Sequence, residues 1–154
     1  DPCFTRPSGR MRVFLDTSVF VAAMLKGHPS HAAALSWLRK IQQGTDVGVV
    51  AAHSLAESYA VLTRMPQHPR ISPAMAVQLI KTDVLATCEV IALSASEYAT
   101  LLDHLAKVQV AGGAVYDAVL LYAAQKANVE QIVTLNEAHF VRVYPALADK
   151  VVSL

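Results

Sequence analysis

Charge is what this chain has least of. Asp, Glu, Lys and Arg make up 16% of its 154 residues against 54% apolar residues, and the two signs nearly cancel at a formal +1. A basic arm for nucleic acid is thereby excluded, and any contact with phosphate has to be local or carried by a metal. Long apolar runs are missing too: none reaches the roughly 18 residues of a membrane helix. The apolar surplus therefore has to be buried in a core or between subunits. Cysteine is scarce, with only Cys3 and Cys88, so there is no disulfide framework and the expected setting is a reducing cytoplasm. No glycine-rich phosphate loop follows the first apolar run, no G-x-S-x-G elbow occurs, and His28, His31 and His53 belong to no paired zinc-ligand pattern.

The length suits one domain with a substantial core. Residues 1–10, DPCFTRPSGR, precede a methionine that opens the first strand. They are read as a non-native or flexible extension, with Met11 as the native start and a single domain over 11–154. Short β-branched runs predict strands at 13–15, 47–51, 89–93, 131–135 and 151–152. Between them helices are expected at 18–26, 30–40, 53–65, 73–86, 95–107, 115–127 and 138–143. Ser94-Ala95-Ser96-Glu97 has the form of a capping box, and Asn128 fits a left-handed helix stop. Strands alternating with helices predict an α/β fold, a three-layer α/β/α sandwich around a mainly parallel sheet of four to five strands.

In MRVFLDTSVFVAAML, residues 11–25, Asp16 is the one carboxylate and ends the first strand. It could cap the helix that follows, but Thr17 or Ser18 could cap equally well. Glu57 lies about a turn into the helix after the second strand and is expected to point back to the same sheet edge. Asp117 stands near the start of an otherwise apolar helix, with no Lys or Arg in helical reach. Each acid alone is explained by the helix dipole. Three of them at strand ends and helix starts in apolar surroundings are poorly tolerated without a cation, and Mg²⁺ or Mn²⁺ is the natural partner of clustered carboxylates. A haloacid-dehalogenase-like phosphatase also begins with a strand ending in Asp, but it needs a second Asp where this chain has Ser18.

Taken in order, Leu15-Asp16-Thr17-Ser18-Val19, the helix with Glu57, the stretch 113–121 around Asp117, and Val133-Thr134-Leu135-Asn136-Glu137-Ala138-His139-Phe140 resemble the PIN-domain family. The likeness is to the toxin ribonucleases of toxin–antitoxin pairs of the VapBC type and runs from residue 11 to about 150. It implies a metal-dependent endoribonuclease in which Asp16, Glu57 and Asp117 hold Mg²⁺ or Mn²⁺ and a water attacks an RNA phosphodiester. Asn136 stands where the family commonly has a fourth acid. It can coordinate through its carbonyl, bind a water or cap the last helix, but it adds no charge, and the number of metals stays open between one and two. Thr17, Ser18 and Thr134 are candidates for orienting ligands or water, or are helix caps.

The resemblance also implies a small antitoxin protein that fills the groove with an apolar helix. Two alternatives stand beside it: a PIN nuclease of RNA processing with no antitoxin, and a catalytically weak scaffold. Arg39, Lys40, Arg64 and Arg70 are candidate guides for RNA. The apolar segments 35–38 and 59–62 are expected to form a homodimer interface.

Overall fold

The computed structural model describes residues 9–154; residues 1–8 of the expected extension lie outside the described residues. Five strands, β1 (Met11–Leu15), β2 (Asp46–Ala51), β3 (Cys88–Ile91), β4 (Gln131–Thr134) and β5 (Val151–Ser153), form one sheet in the order β3-β2-β1-β4-β5. Every neighbouring pair is parallel.

Both faces of the central strands are covered. Val13, Phe14 and Leu15 of β1, Val49 and Val50 of β2, and Ile132 and Val133 of β4 have no solvent exposure. Such strands read as continuous apolar runs because neither face meets water. Phe14, Val49, Ala51 and Ile132 pack against α5 (Ala95–Lys107), α6 (Ala114–Lys126) and α7 (Glu137–Val143). Val13, Leu15, Val50 and Val133 pack on the other face against α1 (Thr17–Met24) and α2 (His31–Gln42). Outside α1, Val21 and Leu25 meet Leu62 of α3 (Ala52–Arg64) and Ala76 and Ile80 of α4 (Pro73–Ile80), which continues into a π-helical turn, Lys81–Leu85. The helix α6 is apolar nearly all round, and six of its thirteen residues are buried. A helix of that composition has to be enclosed between layers.

Several predicted boundaries shift. Strand β3 ends at Ile91 rather than at 93; beyond it the carbonyl of Ala92 accepts a bond from Nζ of Lys126 at 3.0 Å. Helix α1 ends at Met24, two residues short of the expected 26, and α2 runs on to Gln42. The capping box at Ser94 and Glu97 forms as expected, and Asn128 takes φ 51°. Gln109 takes a left-handed φ of 57° that no local residue type had signalled.

At Gly48 of β2, α2 lies so close that an added Cβ would stand 2.8 Å from Cδ1 of Ile41 and 2.9 Å from Sγ of Cys88. An added methyl would have to push those side-chain ends aside.

The strand order reverses between β1 and β4. The connections from β1 to β2 and β3 run outward on one side, whereas α5 and α6 carry the chain back to the far side of β1. At such a switch point the loops beyond the strand ends diverge and leave a crevice.

Candidate active site

Asp16 follows β1 directly at this crevice and is 4% exposed. It occupies the N-cap position of α1, where the amides of Thr17 and Ser18 help to lower the pKa that burial raises, but it makes no full side-chain capping bond. Instead Oδ2 accepts hydrogen bonds from the hydroxyls of Ser18, at 2.7 Å, and Thr134, at 2.8 Å. Ser18 Oγ in turn accepts from the Leu135 amide at 3.2 Å, and Thr134 Oγ1 accepts from the Asn136 amide at 2.9 Å. The carboxylate stands at the start of α1 and is anchored there mainly by hydroxyls. The hydroxyls of Ser18 and Thr134 hold a buried carboxylate and stitch the end of β1 to the end of β4.

Glu57, on the sixth residue of α3, faces the same crevice. Its Oε1 accepts from Thr17 Oγ1 at 3.4 Å and pairs with Nε2 of His53, one turn earlier, at 3.3 Å. Asp117 enters from the first turn of α6. Asp16, Glu57 and Asp117 line one cavity of about 380 Å³, together with Thr17, Ser18, His28 and Asn136. Thr134, wholly buried, stands behind Asp16.

The electrostatics show how close the three acids are. Burial raises the pKa of Asp16 above the ordinary carboxylate value, opposed by the bonds from Ser18 and Thr134. Burial also raises Glu57, the neighbouring charges of Asp16 and Asp117 raise it further, and His53 opposes them. Asp117 is raised by burial and then by Asp16, with His139 of α7 acting the other way. Among the described residues no three His, Cys, Asp or Glu side chains stand in a ready-made metal-binding arrangement. What the crevice offers is hard oxygen donors of like charge that repel one another, and a divalent cation relieves that repulsion. In donor chemistry the site fits such an ion.

Three neighbours of the acids were not singled out from the sequence. The pairing of His53 with Glu57 follows their i, i+4 spacing, a signal present in the chain. His139 reaches Asp117 only because α7 packs on α6, and Tyr116 gains significance only through the ring of His53, which lies parallel to it within 1° at a centroid distance of 5.4 Å. Of the four basic candidates, Arg64 lines a groove beside the acids. Lys40 lies over the Trp37 ring at 4.7 Å, and Arg39 and Arg70 are exposed.

The protein is thus an α/β domain built on a parallel sheet, with three acids gathered at its switch point. The family model described as PIN domain matches residues 13–144. The chain belongs to the PIN-domain family. It is 39% identical over 115 residues to Ribonuclease VapC40 of Mycobacterium tuberculosis, covering 75% of this chain and 80% of that one. To Ribonuclease VapC27 of the same species it is 34% identical over 116 residues, 75% of this chain and 79% of that one. Among solved structures, it resembles VapC20 of M. tuberculosis, described as a Sarcin-Ricin loop cleaving toxin, with a TM-score of 0.60 and 20% identity over 78% of this chain and 86% of that one. VapBC2 of Rickettsia felis, bound to a DNA fragment from its promoter, gives a TM-score of 0.63 at 20% identity, over 94% of this chain and 99% of that one. The three-layer fold is that of these neighbours, and the curated relatives make this chain a ribonuclease, a hydrolase of the VapC kind.

Proposed function

We propose that residues 11–154 form one PIN domain that acts in the cytoplasm as the endoribonuclease toxin of a toxin–antitoxin pair, with Asp16, Glu57 and Asp117 as its metal-binding and catalytic acids. The observation that carries this reading is their convergence on one crevice at the switch point of the sheet. If bound by these carboxylates, Mg²⁺ or Mn²⁺ would supply charge neutralisation at the phosphate and activation of a water. The chain's own groups do the positioning. Ser18 and Thr134 fix the Asp16 carboxylate, and Thr17 and His53 hold Glu57 from two sides. Asn136, exposed on the rim, offers a neutral oxygen where another charge would strengthen the repulsion.

A small antitoxin that masks the crevice and a second copy of the chain complete the proposal. The expected dimer patch needs revision, because Leu38 and Leu62 are 2% and 0% exposed and belong to the core. Tyr59 and Val61 are exposed, but residues two apart on a helix do not face the same way. Val61 of α3 and Met75 of α4, both exposed, stand in its place.

The test is cleavage of RNA by the purified chain with Mn²⁺, with EDTA, and with Asp16→Asn. Cleavage that needs both the cation and Asp16 supports the reading; cleavage that persists in EDTA or in the variant overturns it. Inhibition by the product of a short neighbouring reading frame separates a toxin from an RNA-processing nuclease.

A further inference from the structure

Along α3, His53, Ala56, Glu57, Ala60 and Arg64 recur at i, i+3, i+4, i+7 and i+11, so they share one helix face. With Tyr116 of α6 they line a second, open groove of about 480 Å³. Glu57 lines this groove and the carboxylate cavity alike, so the two adjoin at that side chain.

We infer that this second groove is a nucleotide subsite for the RNA substrate: a base next to the scissile bond stacks on Tyr116, and Arg64 takes a phosphate further along the strand. The inference rests on the ribonuclease reading above. Tyr116 precedes Asp117 in α6 and is 54% exposed, so a large aromatic ring is presented to solvent beside a catalytic acid. That ring is backed by the parallel imidazole of His53, which is itself tied to Glu57 at 3.3 Å. Stacking needs a flat surface with a fixed orientation, and it accepts every base because every base has a π-face.

The charges run the right way as well. Phosphate is repelled near Glu57 unless a cation is bound there, whereas Arg64 stands seven residues on, about 10 Å along the helix axis. Ala60 between them and Ala56 beside Glu57 keep the floor low, and their small side chains leave room for a backbone to pass. Along α3 the groove thus runs from the His53–Tyr116 pair, past Glu57, to Arg64. Single-stranded RNA has that pattern of base and phosphate, and a subsite of this kind grips a nucleotide without reading its identity.

Binding is measured in the Asp16→Asn background with a fluorescein-labelled, mixed-sequence, single-stranded RNA of roughly a dozen nucleotides, read by anisotropy. Tyr116→Leu is expected to weaken binding about tenfold, and Tyr116→Phe to stay within about twofold. Arg64→Ala is expected to weaken binding and to lower the slope of log K against log salt by about one. With Asp16 restored, Tyr116→Leu raises KM far more than it lowers kcat. As a check that does not depend on a variant folding, 2-aminopurine placed in turn along the oligonucleotide is quenched at a particular position on binding the chain with Tyr116 intact.

Unchanged RNA affinity in Tyr116→Leu, or 2-aminopurine quenching that is the same at every position, overturns the subsite. If Asp16→Asn still abolishes cleavage, the ribonuclease reading survives that loss. Equal losses in the Leu and Phe variants point to the hydroxyl and overturn stacking. A groove whose variants lose a protein partner but keep RNA affinity is a protein-docking face, which also overturns the inference. A chain that neither binds nor cuts RNA removes both readings.

Discussion

The hydroxyl of Thr134 donates to Oδ2 of Asp16 at 2.8 Å, in a fully buried contact between residues 118 positions apart. Thr134→Val removes that donor and the acceptor of the Asn136 amide while keeping the shape. The variant is expected to lose about 1–2 kcal/mol of stability, while Thr134→Ser stays near the parent. Calorimetry in EDTA checks this; a Thr134→Val melt equal to the parent's would show that Ser18 alone suffices to hold Asp16.

Asp16→Asn keeps an oxygen that can accept from Ser18 and Thr134 but gives up the charge. It is expected to fold like the parent and to lose RNA cleavage, and EDTA is expected to inhibit the parent reversibly. Circular dichroism and a gel-based cleavage assay test the two halves separately.

Charge removal at Asp117 has a sign that can be worked out. In the metal-free chain the folded-state pKa values of Asp16, Glu57 and Asp117 lie above their ordinary values of 3.8, 4.5 and 3.8. The folded state then binds more protons than the unfolded one, so this cluster's contribution to stability is complete below the ordinary values and is lost as pH rises through the raised ones. Asp117→Asn removes one group and its repulsion of Glu57. Near neutral pH in EDTA it is expected to melt at or above the parent, with a weaker fall as pH rises, and to lose stabilisation by Mn²⁺. A melt well below the parent that Mn²⁺ still raises would exclude Asp117 as a ligand.

Asn136 lies on the rim of the cavity that holds the acids. Asn136→Asp should leave the fold unchanged and tighten Mn²⁺ binding, measured by isothermal titration. An unchanged affinity would put position 136 outside the reach of the ion.

A second copy of the chain, if it covers the apolar side chains of α3 and α4, makes the protein a dimer at micromolar concentration. Sedimentation velocity is expected to show that dimer, and Val61→Asp to shift it to monomer; a parent that sediments as monomer throughout the range removes the dimer from the proposal.

Much of this site was legible because its acids are conspicuous. Asp16 interrupts two apolar runs and Asp117 stands alone in an apolar helix, so burial and charge were in visible conflict in the sequence. The contacts that resolve the conflict were not legible in the same way. Thr134 meets Asp16 across the switch point, and His139 meets Asp117 through the packing of α7 on α6, both set by the tertiary arrangement. Leu38 and Leu62 carry the opposite lesson. An apolar residue on a helix says that it will be covered, and only the packing decides whether the cover is this chain's own core or another molecule. The early end of β3 is of the same kind, since residues 92 and 93 are as apolar as a strand requires, yet the ladder with β2 closes at Ile91.

Gly48 pairs with Val13, three residues before Asp16, and has Ile41 of α2 pressed against it. Any side chain there pushes on the side-chain ends of Ile41 and Cys88, and β1 lies hydrogen-bonded alongside. The clearance under α2 is therefore a tolerance of the strand that leads to Asp16. A methyl group added at Gly48 would press first on Ile41 and Cys88, and any loss at Asp16 would reach it through β1, a lesion that looks chemical although its origin is mechanical.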